Sequence, residues 1–166
     1  PVFCVYRRGL WLLDYNRDGR PERTIEFGEA GDRPCVGDFD GDGAYELGVY
    51  RRLDDQRVEL KIRTVSAEGQ VDESTRSLIV PKGELVVGDF DGGGRSDIGW
   101  VSTGQSGALE WQLDFNADGV WDQTYEFGFP SDVPLAGDWL DTGRDNVGVY
   151  RQNHSGRTAS HWFFRS

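Results

Sequence analysis

The sequence predicts an all-β protein of tandem four-stranded antiparallel units, and three observations carry that expectation. Apolar residues fall in short alternating or β-branched runs, with no helical period anywhere in the 166 residues. Gly fills 23 positions, about twice the usual share, and separates those runs where tight turns are needed. The segment "WLLDYNRDGRPERTIEFG", Trp11 to Gly28, returns as "WQLDFNADGVWDQTYEFG", Trp111 to Gly128.

A weaker copy at half that shift, "KIRTVSAEGQVDESTRSLI" from Lys61 to Ile79, keeps Gly69 in register but has lost most of the acids. A second motif interleaves with the first: "GDFDGDGAYELGVYR" from Gly37, "GDFDGGGRSDIGWV" from Gly88 and "GDWLDTGRDNVGVYR" from Gly137. The chain therefore reads as one tandem domain, 1–166, with a period of about 50 residues and units of roughly 1–32, 33–83, 84–132 and 133–166. Each full unit supplies four strands of about five residues: A before "GDFDGDG", B at "ELGVYR", C at "WxLD" and D ending in "FG". The first unit shows B, C and D ("VFCVYR", "LWLLD", "RTIEF"), and the last shows A, B and C, ending in "HWFF". Fourteen strands amount to about three and a half blades, since four strands in such a span match the size of a β-propeller blade.

With 29 acidic and 18 basic residues the formal charge is -11, which disfavours nucleic acid and anionic membrane surfaces and favours cations. No apolar run approaches the roughly 20 residues of a membrane span. The start lacks the form of a signal peptide and reads as a mature or trimmed end. Cys4 and Cys35 are the only cysteines, so a disulfide scaffold and a CxxC site are excluded, while a single bridge is left open. Asn153-His154-Ser155 matches a glycosylation sequon. His154 and His161 are the only histidines, and Ser160 beside His161 would point to the opposite face of a strand. A Ser-His-Asp enzyme is therefore not expected, and the chain reads as non-catalytic.

The acidic loops carry the chemistry. In D-x-[DN]-x-D-G, side chains at positions 1, 3 and 5 turn inward, the residue at 7 offers a carbonyl, and Gly at 6 permits the bend. Such a set suits Ca²⁺, which takes six to eight hard oxygens at about 2.3–2.6 Å. Position 12, a bidentate acid in helical calcium loops, is Ile25, Val49 and Tyr125 here, so an EF-hand is excluded. An acid stands instead at position 9: Glu22, Glu46 and Asp122. The competing reading is a purely polar turn, with the acids bonding nearby N–H groups. Three loops in register weigh against it, because clustered carboxylates repel without a cation or protons.

These loops, with "FG" some ten residues before "GD", resemble the FG-GAP repeat of integrin-like β-propellers and the related VCBS-type repeats, over almost the whole chain. The resemblance implies Ca²⁺ on the hairpin loops and an extracellular or cell-surface setting. It assigns as ligands Asp14, Asn16, Asp18 and Glu22 with the Arg20 carbonyl; Asp38, Asp40, Asp42 and Glu46 with Ala44; and Asp114, Asn116, Asp118 and Asp122 with Val120. A fourth, weaker loop holds Asp89, Asp91 and Asp97 with Arg95, but Gly93 replaces its third acid. Two loops read as lost: Thr64, Ser66, Glu68 and Asp72 lack the first carboxylate, and Leu140 follows Asp138 in the last.

Aromatics at position 2, namely Tyr15, Phe39, Phe90, Phe115 and Trp139, are expected to anchor the core. Trp100, Trp121 and Trp162 read as exposed, for packing between blades or for stacking on sugars. Arg7, Arg51 and Arg151 recur on strand B with a structural look. The B-to-C connections at 51–57, 102–108 and 152–160 should lie opposite the acidic loops and are candidates for recognition. Strand A is missing at one end and D at the other, which leaves open edges suited to a homo-oligomer or end-to-end assembly. The function expected is a Ca²⁺-stabilised module for adhesion, recognition or self-assembly, with a glycan or protein ligand. The alternative is the carbohydrate-binding propeller of a polysaccharide-active enzyme.

Overall fold

The computed structural model describes residues 3–66, 69–152 and 160–165. Among these residues there is no helix, and fourteen strands form four antiparallel sheets. Sheet 1 holds β1 (Phe3–Arg7), β2 (Leu10–Asp14) and β3 (Arg23–Glu26). Sheet 2 holds β4 (Arg33–Gly37), β5 (Glu46–Arg52), β6 (Arg57–Val65) and β7 (Val71–Ile79). Sheet 3 holds β8 (Gly83–Gly88), β9 (Asp97–Thr103), β10 (Leu109–Asp114) and β11 (Gln123–Glu126). Sheet 4 holds β12 (Val133–Gly137), β13 (Asn146–Arg151) and β14 (His161–Arg165). Every sheet is a meander in chain order, so each short run pairs with the next, most of them across a Gly-bearing turn, with Leu53–Gln56 between β5 and β6 a glycine-free exception.

Two strands outgrow the expected five residues most, beyond the seven of β5 and β9. β6 and β7 run nine residues each, and beyond the ladder Ser66 N–H donates to the Gln70 carbonyl at 2.8 Å. The ladder continues to Val65 opposite Val71.

Three apolar clusters sit between consecutive sheets. Trp11 and Phe27 of sheet 1 meet Val49 of sheet 2. Leu60 and Ile62 of sheet 2 meet Ile98 and Trp100 of sheet 3, and Trp111 and Leu113 of sheet 3 meet Val147 and Val149 of sheet 4. The edge strand β8 also touches both β4 and β12.

Trp100 packs between sheets 2 and 3, the packing role expected of it rather than sugar stacking, and its indole bonds the Pro81 carbonyl at 3.2 Å. Trp121 packs on the same cluster, whereas Trp162 is exposed. Phe39 and Phe90 are buried anchors, and Phe115 packs partly buried. Tyr15 departs from expectation at 48% exposed. It belongs to none of the three clusters, although Trp11 and Ile25 of the strands its loop joins pack in the first. Trp139 lies against Phe164, ring centroids 4.5 Å apart, on the exposed side of sheet 4.

The junctions between sheets alternate in kind. Where "EFG" crosses from sheet 1 to sheet 2, Gly28 has φ +91° and so little room that a Cβ would lie 2.9 Å from Val49 Cγ1. Gly128 repeats this at the sheet 3 to sheet 4 junction, with φ +96° and Val149 Cγ1 at 2.8 Å. Asp32 and Asp132 close these turns by accepting the Glu29 and Phe129 amides, and Arg51 and Arg151 clamp them. The sheet 2 to sheet 3 junction lacks this pair. There Arg52 donates to the Pro81 carbonyl at 2.7 Å and lies over the Trp100 ring. The structural role expected of Arg51 and Arg151 is thus explained, while Arg7 on β1 is exposed and makes no ion pair among the described residues.

Candidate cation-binding loops

Because strands run antiparallel, A-to-B and C-to-D loops gather at one end of each sheet and B-to-C turns at the other. Five acidic loops occupy the first end: after β2, β4, β8, β10 and β12. All five share one backbone path. Position 4 has positive φ in each, at Arg17, Gly41, Gly92, Ala117 and Asp141, and so does the Gly at position 6. The sequence signals the second of these in every loop and the first only where it is Gly41 or Gly92, since Arg17 and Ala117 carry no turn signature at position 4.

The aspartate at position 1 explains the path. Asp38 accepts Gly41 N–H at 2.7 Å and Gly43 N–H at 2.9 Å. Asp14 does the same for Arg17 and Gly19, and Asp89 for Gly92 and Gly94. Asp114 and Asp138 bind positions 5 and 6 instead. The acid at position 9 reaches back to the amide at position 2: Glu22 to Tyr15, Glu46 to Phe39, Asp97 to Phe90 and Asp122 to Phe115, all at 2.7–2.8 Å. Asn16, Asp40 and Asn116 at position 3 accept position 5, and Asp18, Asp42 and Asp118 accept the amides of Arg20, Ala44 and Val120 at position 7. Arg95, at position 7 of its loop, sends its guanidinium to the Phe39 carbonyl at 2.6 Å and so ties two loops together.

Three loops bring three acidic oxygens within 4.8 Å of one another: Asp14, Asp18 and Glu22; Asp38, Asp40 and Asp42; and Asp89, Asp91 and Asp97. These triads could hold a metal ion, and their hard carboxylate oxygens are the donors Ca²⁺ prefers. The order of merit differs from the expectation. The Asp89 loop gathers its triad despite Gly93, because Asp97 folds in, whereas Asp114, Asp118 and Asp122 are not among the triads found in the described residues.

The electrostatics follow from this crowding. Burial, then the charges of Asp91 and Asp89, pushes the Asp97 carboxyl up to about 7 against the opposing Phe90 amide. Burial and the charges of Asp40, Asp38 and Asp42 raise Glu46. A carboxylate whose proton affinity is raised by neighbouring acids gains most from a cation beside it.

The two loops read as lost differ from each other. Thr64 and Asp72 face each other as ladder partners, so no loop remains to hold an ion; Glu68 lies outside the described residues. The Asp138 loop keeps the shared path, and its Thr142 N–H holds the Asp138 carboxyl below the usual range. However, Trp139 N–H turns to the Gly137 carbonyl, and the buried Asn146 Oδ1 at position 9 has no partner.

Neighbouring A-to-B loops are stitched together. Ser96 donates its N–H to the Asp38 carbonyl at 2.7 Å and its hydroxyl accepts Asp38 N–H at 2.9 Å. Asp145 repeats this with Asp89 at 2.6 and 2.9 Å. Both cysteines are free thiols, and burial pushes Cys35 up to about 12. The sequon and His154 lie outside the described residues.

Protein-family models, curated proteins and solved structures give no match to this chain.

Proposed function

We propose that the chain is a non-catalytic, calcium-stabilised β-repeat module of the FG-GAP and VCBS type, working outside the cell in adhesion, recognition or assembly. The observation that carries this reading is the set of three carboxylate triads on equivalent hairpin loops. Edge strands β4, β8 and β12 side by side support a propeller-like, radial arrangement of the sheets. Calcium at extracellular, millimolar levels suits loops with dissociation constants of about 10⁻⁴–10⁻³ M. The ion would neutralise the acids at 14–22, 38–46 and 89–97, and its binding free energy would add to the stability of the fold. The chain's own residues supply the preorganised path: Asp38 and its equivalents fix the loop, while Asp40 and Asp42 present exposed oxygens. Calorimetric titration tests the assignment, with three or more Ca²⁺ per chain expected. No heat from Ca²⁺ at millimolar concentration would remove the reading.

A further inference from the structure

In each of the first three sheets, the face toward the next sheet is covered. Tyr6 and Trp11 are cross-strand neighbours with ring centroids 5.0 Å apart, and Trp11 is 2% exposed beneath Leu47 and Val49 of β5. Tyr150 and Trp162 form the same cross-strand pair in sheet 4, again at 5.0 Å, yet Trp162 is 56% exposed. Phe164, the next residue on that face, stacks with Trp139 and is 42% exposed. Val149, one residue from Tyr150, points the other way and is fully buried against sheet 3. Sheet 4 therefore presents an aromatic face built like the faces that are buried elsewhere, and contiguous exposed apolar surface of this kind marks an interaction site.

The complementary surface is also in this chain. β1 reads "FCVYRR" and β5 reads "LGVYRR", so Phe3 and Val5 occupy the places of Leu47 and Val49. Val49 is 1% exposed on the Tyr6–Trp11 pair. Phe3 and Val5 are 59% and 47% exposed, on the face of sheet 1 turned away from sheet 2. One half of a recurrent interface lies on sheet 4 and its other half on sheet 1.

We propose that a second copy of this chain docks head to tail, with its Phe3 and Val5 covering Tyr150, Trp162 and Phe164 as Leu47 and Val49 cover Tyr6 and Trp11. The contact is heterologous, so it propagates from copy to copy or closes into a ring. It rests on the assembly part of the proposed function and is independent of the calcium part.

The test is sedimentation of the full chain in calcium and in EDTA, for wild type, Trp162→Glu and Val5→Glu, each first checked for an unchanged circular dichroism spectrum. Wild type at high micromolar concentration is expected above the monomer mass of 18.6 kDa, and each variant alone is expected as a monomer. An equimolar mixture of the two variants restores one intact interface, because each keeps the half the other lacks, and should give dimers and nothing larger. A wild type that stays monomeric at every concentration would overturn both assembly and docking. Oligomers that survive in both variants would overturn the face docking alone and leave assembly through sheet edges standing.

Discussion

Arg151 grips Asp132 with two parallel hydrogen bonds, Nε to Oδ1 at 2.7 Å and Nη2 to Oδ2 at 2.8 Å, and Asp132 has no exposed side-chain surface. Arg51 holds Asp32 in the same way, so one bidentate clamp fixes two of the three junctions between sheets. Removing Asp132 leaves the half-buried Arg151 guanidinium without its carboxylate and the Phe129 amide without its acceptor. Asp132→Ala is expected to cost about 2–3 kcal/mol, less than a fully buried pair because Arg151 is one-third exposed. Urea unfolding measures it, and a loss below about 0.5 kcal/mol, the scale of an ordinary surface change, would deny the clamp its role.

The same residues set a pH dependence with two limbs. The Arg151 hydrogen bond, opposed by burial, holds Asp132 below its ordinary value. Its contribution is therefore present above the unfolded pKa of about 3.9 and lost as pH falls from there through the lower folded value. Asp97 runs the other way. Raised to about 7 in the metal-free loop, it favours folding below pH of about 4 and withdraws that contribution as pH rises toward 7. Metal-free protein should melt lower at pH 8 than at pH 5, and calcium should flatten or reverse the difference. Identical slopes with and without calcium would contradict this.

Asp42→Asn separates a metal ligand from a turn residue. Asp42 Oδ1 accepts Ala44 N–H at 2.7 Å, a bond that Asn keeps. If the loop were only a polar turn, nothing but repulsion would be lost and stability would hold or rise. As a calcium ligand, Asp42→Asn should weaken binding at its loop about tenfold, since affinity follows the ligand charge count. Calorimetric titration reads the difference.

Gly28→Ala tests the close approach at the first junction. The residue needs φ +91°, and a Cβ would meet Tyr6 Oη at 2.8 Å and Val49 Cγ1 at 2.9 Å. Left-handed strain and overpacking together suggest a loss of about 2–4 kcal/mol. Gly43→Ala is the control, with φ +87° but no atom within 4 Å of its Cβ, and it should lose only the strain.

Strands and repeats were legible because both are local: alternation and glycine spacing report them without knowledge of the partner sheet. Two of the acidic triads, at 14–22 and 38–42, were legible for the same reason, as one short segment contains each, whereas the sequence ranked the Asp114 loop above the Asp89 loop and the structure gathers only the latter. What escaped depends on neighbours. Trp100 was legible as a residue for packing between sheets but not its partners, since Arg52 and the Pro81 carbonyl come from the neighbouring sheet and its junction. Tyr15 matches Phe39 in sequence, but its loop lies on an outer strand pair. The left-handed residue at position 4 is visible as Gly41 and Gly92 and hidden as Arg17, Ala117 and Asp141, because the position 1 carboxylate imposes that turn whatever the side chain.

The most direct test of the calcium reading is a thermal melt of the full chain in millimolar Ca²⁺ and in EDTA at pH 7.5. One site at ten times its dissociation constant adds about 1.4 kcal/mol, which for a chain of this size is about 3–6 °C. A drop of at least that size in EDTA, reversed by adding calcium back, is the expected result; a shift of a degree or two would reduce the acidic loops to polar turns.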